Sequence, residues 1–297
     1  MSNEKRKRRL CDRNDGYRVK ESDPMHSYMP FMLPNRCDNE AVMSELIDLT
    51  KINEYLAKKN ADDPKFKYTM FHVLCAAVAK CIYMRPKLNY FYKHKRLYER
   101  KFLSEAFIVK RQLVDQSPET LAILNFDTES EVSPMEQVHS KLEKIVFEVR
   151  HENKDDGATD VMGILKKLPK FILDIFTGFI NFLDNRGILF KDFVNIDPYH
   201  QTVFLSNTGS IKLTAQYHHL ANFGTNSFFV LIGQKHMHPY FNNDGSVQMK
   251  EAVELGLTID ERIADGTYFA NSLKIIRKIA ENPELIELPF SSKIETE

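Results

Sequence analysis

A run of ionisable residues near the C-terminus could transfer protons. Residues 260–266 read Asp-Glu-Arg-Ile-Ala-Asp-Gly, and residues 267–281 follow with the apolar spacing of an amphipathic helix. Glu261 could accept a proton, but an unperturbed Glu titrates near ~4.3 and a thiol near ~8.5, so Glu261 is a weak base unless burial raises its pKa. Arg262 and Asp265 would shift that pKa in opposite directions. Proton transfer at Glu261 therefore depends on how the fold surrounds its carboxylate.

Two pairs of histidines are a second source of proton-transfer groups. His218 and His219 fall in a stretch predicted to be a loop. One of them could enter a site as the base, or the pair could be exposed to solvent with local hydrogen bonds only. His236 and His238 would share one face of a strand, but no further ligand stands at metal-binding spacing. We therefore expect no metal site.

The turn at residues 260–266, with the helix after it, resembles the catalytic signature of the chloramphenicol acetyltransferase superfamily. It is most similar to the catalytic domain of the dihydrolipoyl acyltransferases of 2-oxo acid dehydrogenase complexes. In that family the turn carries a His, three residues, Asp and Gly, and the imidazole is the general base. Glu261 stands in the position of that His. A predicted strand ending in Ser206-Asn207-Thr208-Gly209 resembles the family's second catalytic element.

This resemblance implies acyl transfer from a thioester, with coenzyme A or an acyl-CoA as substrate, or a lipoyl thiol in its place. Carried over by position, Ser206 would donate to the oxyanion, and Asp265 would stabilise the turn through an ion pair. Glu261, His218 or His219 would be the base. The resemblance also implies a homotrimer or a multiple of trimers, with a lipoyl-bearing protein as a further partner. Without a working base, the chain would be a catalytically impaired relative that acts as a trimeric binding or scaffold protein.

The residue patterns and the resemblance together predict an α/β two-layer sandwich, in which helices pack on a mixed sheet. Residues 37–297 are expected to form one acyltransferase-like domain, without a lipoyl or peripheral-subunit-binding domain. Thr50 is a candidate N-cap for the first helix of that domain. Strands are predicted near residues 41–50, 107–110, 121–126, 202–205, 227–233, 247–250 and 254–259, and helices near 52–59, 68–84, 134–153, 170–184 and 267–281.

The first 36 residues are predicted to be a basic, extended arm. Residues 1–20 hold eight Lys and Arg against three acids, and Pro24 and Pro30 are expected to break any regular element. The arm is either a solvated tail or a contact with nucleic acid or an anionic surface. In a third functional hypothesis, it tethers a trimer to a polyanion. The formal net charge of zero argues against a nucleic-acid partner for the whole chain.

The cysteines and the apolar segments bear on location. Cys11, Cys37, Cys75 and Cys81 lack the C-x-x-C spacing, which favours free thiols in a reducing compartment, and we expect the cytoplasm. Residues 171–183 are apolar but too short and too interrupted by polar residues to span a bilayer. They are predicted to form an amphipathic helix that packs on its own domain, on another subunit or on a membrane surface. The predicted inward stripe is Leu165, Leu168, Phe171, Ile172, Ile175 and Phe179.

Overall fold

The structure, a computed structural model, describes residues 9–20, 23–110, 119–151, 163, 165 and 167–296. The described residues form ten strands: β1 (Gly16–Arg18), β2 (Glu40–Asp48), β3 (Tyr90–Lys93), β4 (Arg96–Arg100), β5 (Leu103–Lys110), β6 (Glu119–Phe126), β7 (Val203–Asn207), β8 (Phe228–Ile232), β9 (His236–Phe241) and β10 (Val247–Asp260). Their seven main helices are α1 (Pro24–Met32), α2 (Thr50–Lys59), α3 (Met70–Met84), α4 (Pro134–His151), α5 (Lys170–Asn185), α6 (Lys191–Ile196) and α7 (Gly266–Glu281). Most of the predicted elements are present, and the predicted strands at 247–250 and 254–259 are one continuous strand, β10.

A seven-stranded mixed sheet is the centre of the fold. Its order is β2-β10-β8-β7-β5-β6, and β9 pairs with the first half of β10. The pairs β5/β7 and β7/β8 are parallel, and the others are antiparallel. Strands β1, β4 and β3 form a second, smaller sheet. The mixed sheet with helices packed on it confirms the predicted fold class.

The two faces of the large sheet are covered very differently. Helices α2, α3, α4 and α7 bury one face, where Val203, Leu205 and Val230 meet Ile276 in the main core. The other face carries a small apolar cluster that includes Phe204, Phe229 and Leu220. It is covered by the loop of residues 211–224, whose backbone lies so close that a Cβ at Gly256 would collide with the carbonyl oxygen of Gln216. We refer to this second surface as the loop-covered face.

The N-terminal segment is more ordered than predicted. Pro24 stands in the first turn of α1, where its missing N–H costs nothing, and Asp23 caps that helix by accepting from the His26 N–H at 2.9 Å. Residues 16–18 pair with β4. The expectation that prolines prevent regular structure before residue 36 is therefore wrong for the described part of that segment.

The predicted cap of α2 also needs correction. Leu49 precedes the helix, and the carboxylate of Asp48 accepts from both the N–H and the hydroxyl of Thr50, at 2.8 and 2.6 Å. The helix therefore includes Thr50 as its first residue, and the capping acceptor is Asp48.

A buried group of charges ties the N-terminal segment to α5. Asp184 of α5 is 0% exposed, and its carboxylate lies 2.6 Å from Arg13, 2.6 Å from Lys93 and 3.4 Å from His200. Arg13 also pairs with Asp15 at 2.7 Å. Because removing one partner of a buried ion pair leaves the others without compensation, Asp184 is central to this region.

Helix α5 buries a different face from the one predicted. Ile180, Leu183 and Asp184 point inward. Of the predicted inward stripe, Phe171, Ile175 and Phe179 are exposed instead, and Leu165, Leu168 and Ile172 are partly buried. The stripe prediction is wrong for its three exposed members, because the buried charge partners of Asp184 fix the rotation of the helix.

Candidate active site

Ser206 stands near the carboxyl end of β7, on the loop-covered face. Side chains alternate along a strand, and Val203 and Leu205 enter the main core while Phe204 joins the cluster on the other side. Ser206 therefore follows Phe204 onto the loop-covered face, where it is half-buried. Its neighbour on β8 is Leu231.

A column of four aromatic rings stands beside Ser206. The Phe204 and Phe229 rings stack at 4.9 Å, the ring of His218 stacks on Phe229 at 4.2 Å, and the ring of His219 stacks on His218 at 4.5 Å. Phe204 and Phe229 are partners in the β7/β8 register, so Ser206 lies about 6.6 Å farther along the strand than the column. Because Phe204 occupies one side of the Phe229 ring, His218 stacks on the other side, roughly 9 Å from the Phe204 ring. His218 and His219 are both exposed, as one of the two alternatives for this pair anticipated.

The proton position on His218 follows from its hydrogen bond. Nδ1 of His218 lies 2.8 Å from the backbone carbonyl oxygen of His219. A carbonyl oxygen only accepts, so Nδ1 must carry the proton and donate it. The lone pair of a neutral His218 is therefore on Nε2, which is the form that a general base requires.

Arg36 holds the C-terminal end of the loop of residues 211–224. Its backbone N–H donates to Oδ1 of Asn222 at 2.8 Å, and its guanidinium donates to the carbonyl oxygens of Ala221 and of Gly224. Nε of Arg36 lies 3.7 Å from the Asp260 carboxylate. Burial lowers the pKa of Arg36 to about 10, although the charge of Asp260 opposes that shift. Arg36 thus links the histidine loop to the turn after β10.

The turn after β10 is held by a buried ion pair. Arg262 donates to both carboxylate oxygens of Asp260, at 2.8 and 2.7 Å, in a bidentate arrangement. Asp265 has another role than the ion pair expected for it, because its side chain accepts from the Tyr268 N–H at 2.8 Å and caps α7. That hydrogen bond holds the pKa of Asp265 below its usual value. Glu261 is exposed beside this pair.

Within one chain, Ser206 and Glu261 lie at opposite ends of the sheet. Ser206 is level with Leu231 of β8, which is level with Gly256 of β10. Glu261 follows Gly256 by five residues, about 16 Å along the strand, and two strand spacings add about 10 Å sideways. The separation is therefore about 19 Å. The structure places Ser206 on the same face of the sheet as His218 and His219, and Glu261 in the same turn as Asp265.

The fold resembles several solved acyltransferase structures at low sequence identity. The dihydrolipoamide acetyltransferase of Azotobacter vinelandii superposes with a TM-score of 0.58 at 15% identity, covering 91% of this chain and 95% of that one. The cubic core of the pyruvate dehydrogenase multienzyme complex gives 0.58 at 15% identity, over 91% and 95% of the two chains. A chloramphenicol acetyltransferase gives 0.50 at 9% identity, over 88% and 98%. The chain has the chloramphenicol acetyltransferase fold. No protein-family model and no curated protein match its sequence.

Two parts of the site in this chloramphenicol acetyltransferase fold were missed by sequence reasoning. The ring of Phe229 supports His218. It belongs to β8, a strand so uniformly apolar that its sequence does not distinguish Phe229 from an ordinary core residue. Arg36 lies in a segment predicted to be an extended arm. The pairing of Asp260 with Arg262 was predictable from the sequence, because both stand in the motif at residues 260–266 and residues two apart in a tight turn can meet.

A cleft of about 470 Å³ opens one residue beyond Ser206 at the ends of β7 and β8. It is lined by Asn207, Gly209, Lys235 and the first turn of α3. A lysine and the N–H groups of a helix N-terminus favour anions, so an anionic part of a substrate could lie there. Among the described residues, no three His, Cys, Asp or Glu side chains are grouped so that they could hold a metal ion.

Asp265→Ala is expected to lower the Tm by about 2–4 °C, because the first turn of α7 would lose its capping acceptor. Differential scanning calorimetry measures the change. Asp265→Asn keeps an acceptor in the same place and should melt close to the wild type. Equal melting of the two variants would show that the cap contributes nothing to stability.

Proposed function

We propose that this chain is an acyltransferase that moves an acyl group between coenzyme A, or a lipoyl thiol, and an acceptor. The observation that carries the proposal is the fold shared with acetyltransferases, together with Ser206 and His218 on the loop-covered face of the sheet. For the Azotobacter enzyme, roles in the catalytic mechanism have been investigated for a serine, a histidine and an asparagine. This chain has a serine and a histidine on one face of its sheet.

The roles follow from the chemistry of acyl transfer. Nε2 of His218 takes the proton from the incoming thiol, hydroxyl or amine, and the freed electron pair attacks the acyl carbonyl carbon. The hydroxyl of Ser206 donates to the oxyanion that forms. When the tetrahedral intermediate collapses, the C–S bond breaks, and the protonated His218 returns the proton to the leaving thiolate. Each turnover therefore leaves both side chains unchanged.

A second copy of the chain would complete the site. Glu261 lies about 19 Å from Ser206 in one chain, so a site that uses both ends of the sheet needs two protomers. We propose a homotrimer or a multiple of trimers, with Glu261 presented to the Ser206 site of a neighbour. The similar cubic core belongs to a multienzyme complex, which supports assembly. The similar Azotobacter enzyme is a dihydrolipoamide acetyltransferase, which supports a lipoyl-bearing partner. The free thiols favour the cytoplasm.

Release of free thiol from acetyl-CoA with a panel of acceptors tests the activity. Ser206→Ala is expected to lower kcat by about 10²–10³, as loss of one oxyanion donor does. Ser44→Ala is the matched control, because Ser44 is exposed and pairs with Gly256, at the same level of the sheet as Ser206. Equal rates for the two variants would contradict the role of Ser206.

Two other outcomes would replace the proposal. Binding of coenzyme A without turnover, with intact trimers, would favour the impaired relative that serves as a scaffold. Activity that arises only in Glu261→His would show that the chain lacked an imidazole at that position. In that case His218 is not the base.

A further inference from the structure

Helix α5 carries an exposed apolar ridge on its outer side. Phe171, Ile175, Phe179 and Phe182 are 64, 69, 52 and 51% exposed, and they repeat at helical spacing. Ile188 and Phe190 continue the exposed apolar surface beyond the helix. We call these six residues the α5 ridge. Large apolar side chains that stand together on a surface indicate a site that contacts a protein or a membrane.

Helix α5 cannot rotate so that the α5 ridge packs against its own domain. The inner side of α5 carries Asp184, which pairs with Arg13 and Lys93 in the interior. Rotating the helix to bury Phe171 and Phe179 would withdraw the carboxylate from these buried cations. The cost of unpaired buried charge is larger than the gain from covering the ridge.

Cations flank the ridge at both ends. Lys167 and Lys170 precede or begin α5, Arg186 follows it, and Lys191 begins α6, and all four are exposed. The guanidinium of Arg186 lies 4.6 Å over the Phe182 ring, with its charge at the edge of the apolar surface. In the described residues 167–192, two exposed acids, Asp174 and Asp192, stand against these four cations. Apolar side chains with basic residues at their edges match the interface of an anionic bilayer.

A two-fold contact between α5 helices of two copies fits this surface poorly. In an antiparallel two-fold contact centred on Gly178, Lys170 of one copy would face Arg186 of the other. Like charges would then meet at both ends of the contact, whereas anionic headgroups would neutralise all four cations. Among the described residues, no helix is long and apolar enough to cross a bilayer.

We infer that the α5 ridge is a docking surface for an anionic lipid bilayer, on which α5 lies parallel to the membrane plane. Phe171, Ile175, Phe179 and Phe182 enter the headgroup and acyl boundary, and the flanking lysines and arginine contact the lipid phosphates. This inference is independent of the acyltransferase activity.

Vesicle flotation of the full chain tests the inference. The vesicles are phosphatidylcholine alone, or phosphatidylcholine mixed with phosphatidylglycerol, at low and at physiological salt. Binding is expected on the anionic vesicles and should weaken with salt. The triple variant Phe171→Ser, Phe179→Ser, Phe182→Ser should bind about 100-fold more weakly, because three half-exposed phenyl rings no longer enter the lipid. The variant Lys167→Gln, Lys170→Gln, Lys191→Gln should lose about fivefold per cation on anionic vesicles only.

The matched control removes exposed apolar residues elsewhere. The control variant replaces three residues of the β9–β10 hairpin that are 56, 77 and 53% exposed: Met237→Ser, Phe241→Ser and Met249→Ser. It should float like the wild type. Circular dichroism checks the fold of each variant. Wild-type protein that does not float, or a triple Phe variant that floats equally well, would overturn the inference. A triple Phe variant with a smaller mass in analytical ultracentrifugation would do so too, by assigning the ridge to a contact between copies.

Discussion

Asp184→Ala should lower the free energy of unfolding by about 3–5 kcal/mol, because it leaves several buried cations without their shared counter-ion. Arg13 and Lys93 each lie 2.6 Å from this carboxylate, and His200 lies 3.4 Å away. Arg13 keeps its pair with Asp15, but Lys93 would have no other carboxylate within ion-pair distance among the described residues. Urea unfolding, followed by circular dichroism, measures the loss.

Asp174→Ala is the matched control, because Asp174 lies exposed on the same helix. Its effect should be within about 0.5 kcal/mol of the wild type. A loss below ~1 kcal/mol for Asp184→Ala would contradict the assignment, since it would mean that water reaches the cations.

The same group should make stability depend on pH. Burial alone would raise the pKa of Asp184, but contact with His200 and the charges of Arg13 and Lys93 outweigh it and hold that pKa well below its usual value. Burial alone would lower the pKa of His200, but Asp184 and Asp197 outweigh it and raise that pKa. The stabilisation from protonated His200 is complete below the unfolded pKa, near ~6.5, and is lost as pH rises through the higher folded value.

The free energy of unfolding should therefore fall above pH ~6.5, by at most about 1.4 kcal/mol per pH unit for this one proton. Asp184 adds stability that is present above the unfolded pKa near ~3.9 and is lost as pH falls below it. In Asp184→Ala the slope above neutrality should become shallower, because one of the two carboxylates that raise the pKa of His200 is absent. An unchanged slope above neutrality would mean that a group other than His200 causes this pH dependence of stability.

His218→Ala is expected to lower kcat/KM for thioester turnover by about 10²–10⁴, the range for loss of a positioned general base. The imidazole rests on Phe229 at 4.2 Å, and its Nδ1 donates to a carbonyl oxygen, so Nε2 is the nitrogen that can accept a proton. The measurement is the steady-state rate of thiol release from acetyl-CoA by the wild type and by His218→Ala.

The variant His219→Ala tests whether the ring that stacks on His218 is needed for catalysis. His219 contributes its carbonyl oxygen to His218 and stacks on it at 4.5 Å, and the variant retains the carbonyl. We expect a loss of kcat/KM below about tenfold. A loss of kcat/KM by about 10²–10⁴ in Glu261→Gln, with His218→Ala close to the wild type, would identify Glu261 as the base.

Local elements were predictable where one residue pattern dominates. The apolar segment that ends at Arg85-Pro86 forms α3, and the apolar run after Gly224 forms β8, because each buries nearly every side chain and ends at a residue that cannot continue it. The Asn-Asp-Gly turn near Gly245 was predictable too, since its φ of 83° suits glycine. The rotation of α5 was not, because both of its sides are apolar enough to be buried.

The sequence by itself determined the order of strands and helices, the strand end at Ser206 and the turn that begins α7, since these depend on contacts between near neighbours in the chain. Only the tertiary structure decided which groups meet. It put His218 on the face of Ser206, left Glu261 at the other end of the sheet, and turned the apolar residues of α5 outward. The reason in each case is pairing between residues far apart in sequence: Phe229 under His218, the strand registers that separate Ser206 from Glu261, and Asp184 with Arg13.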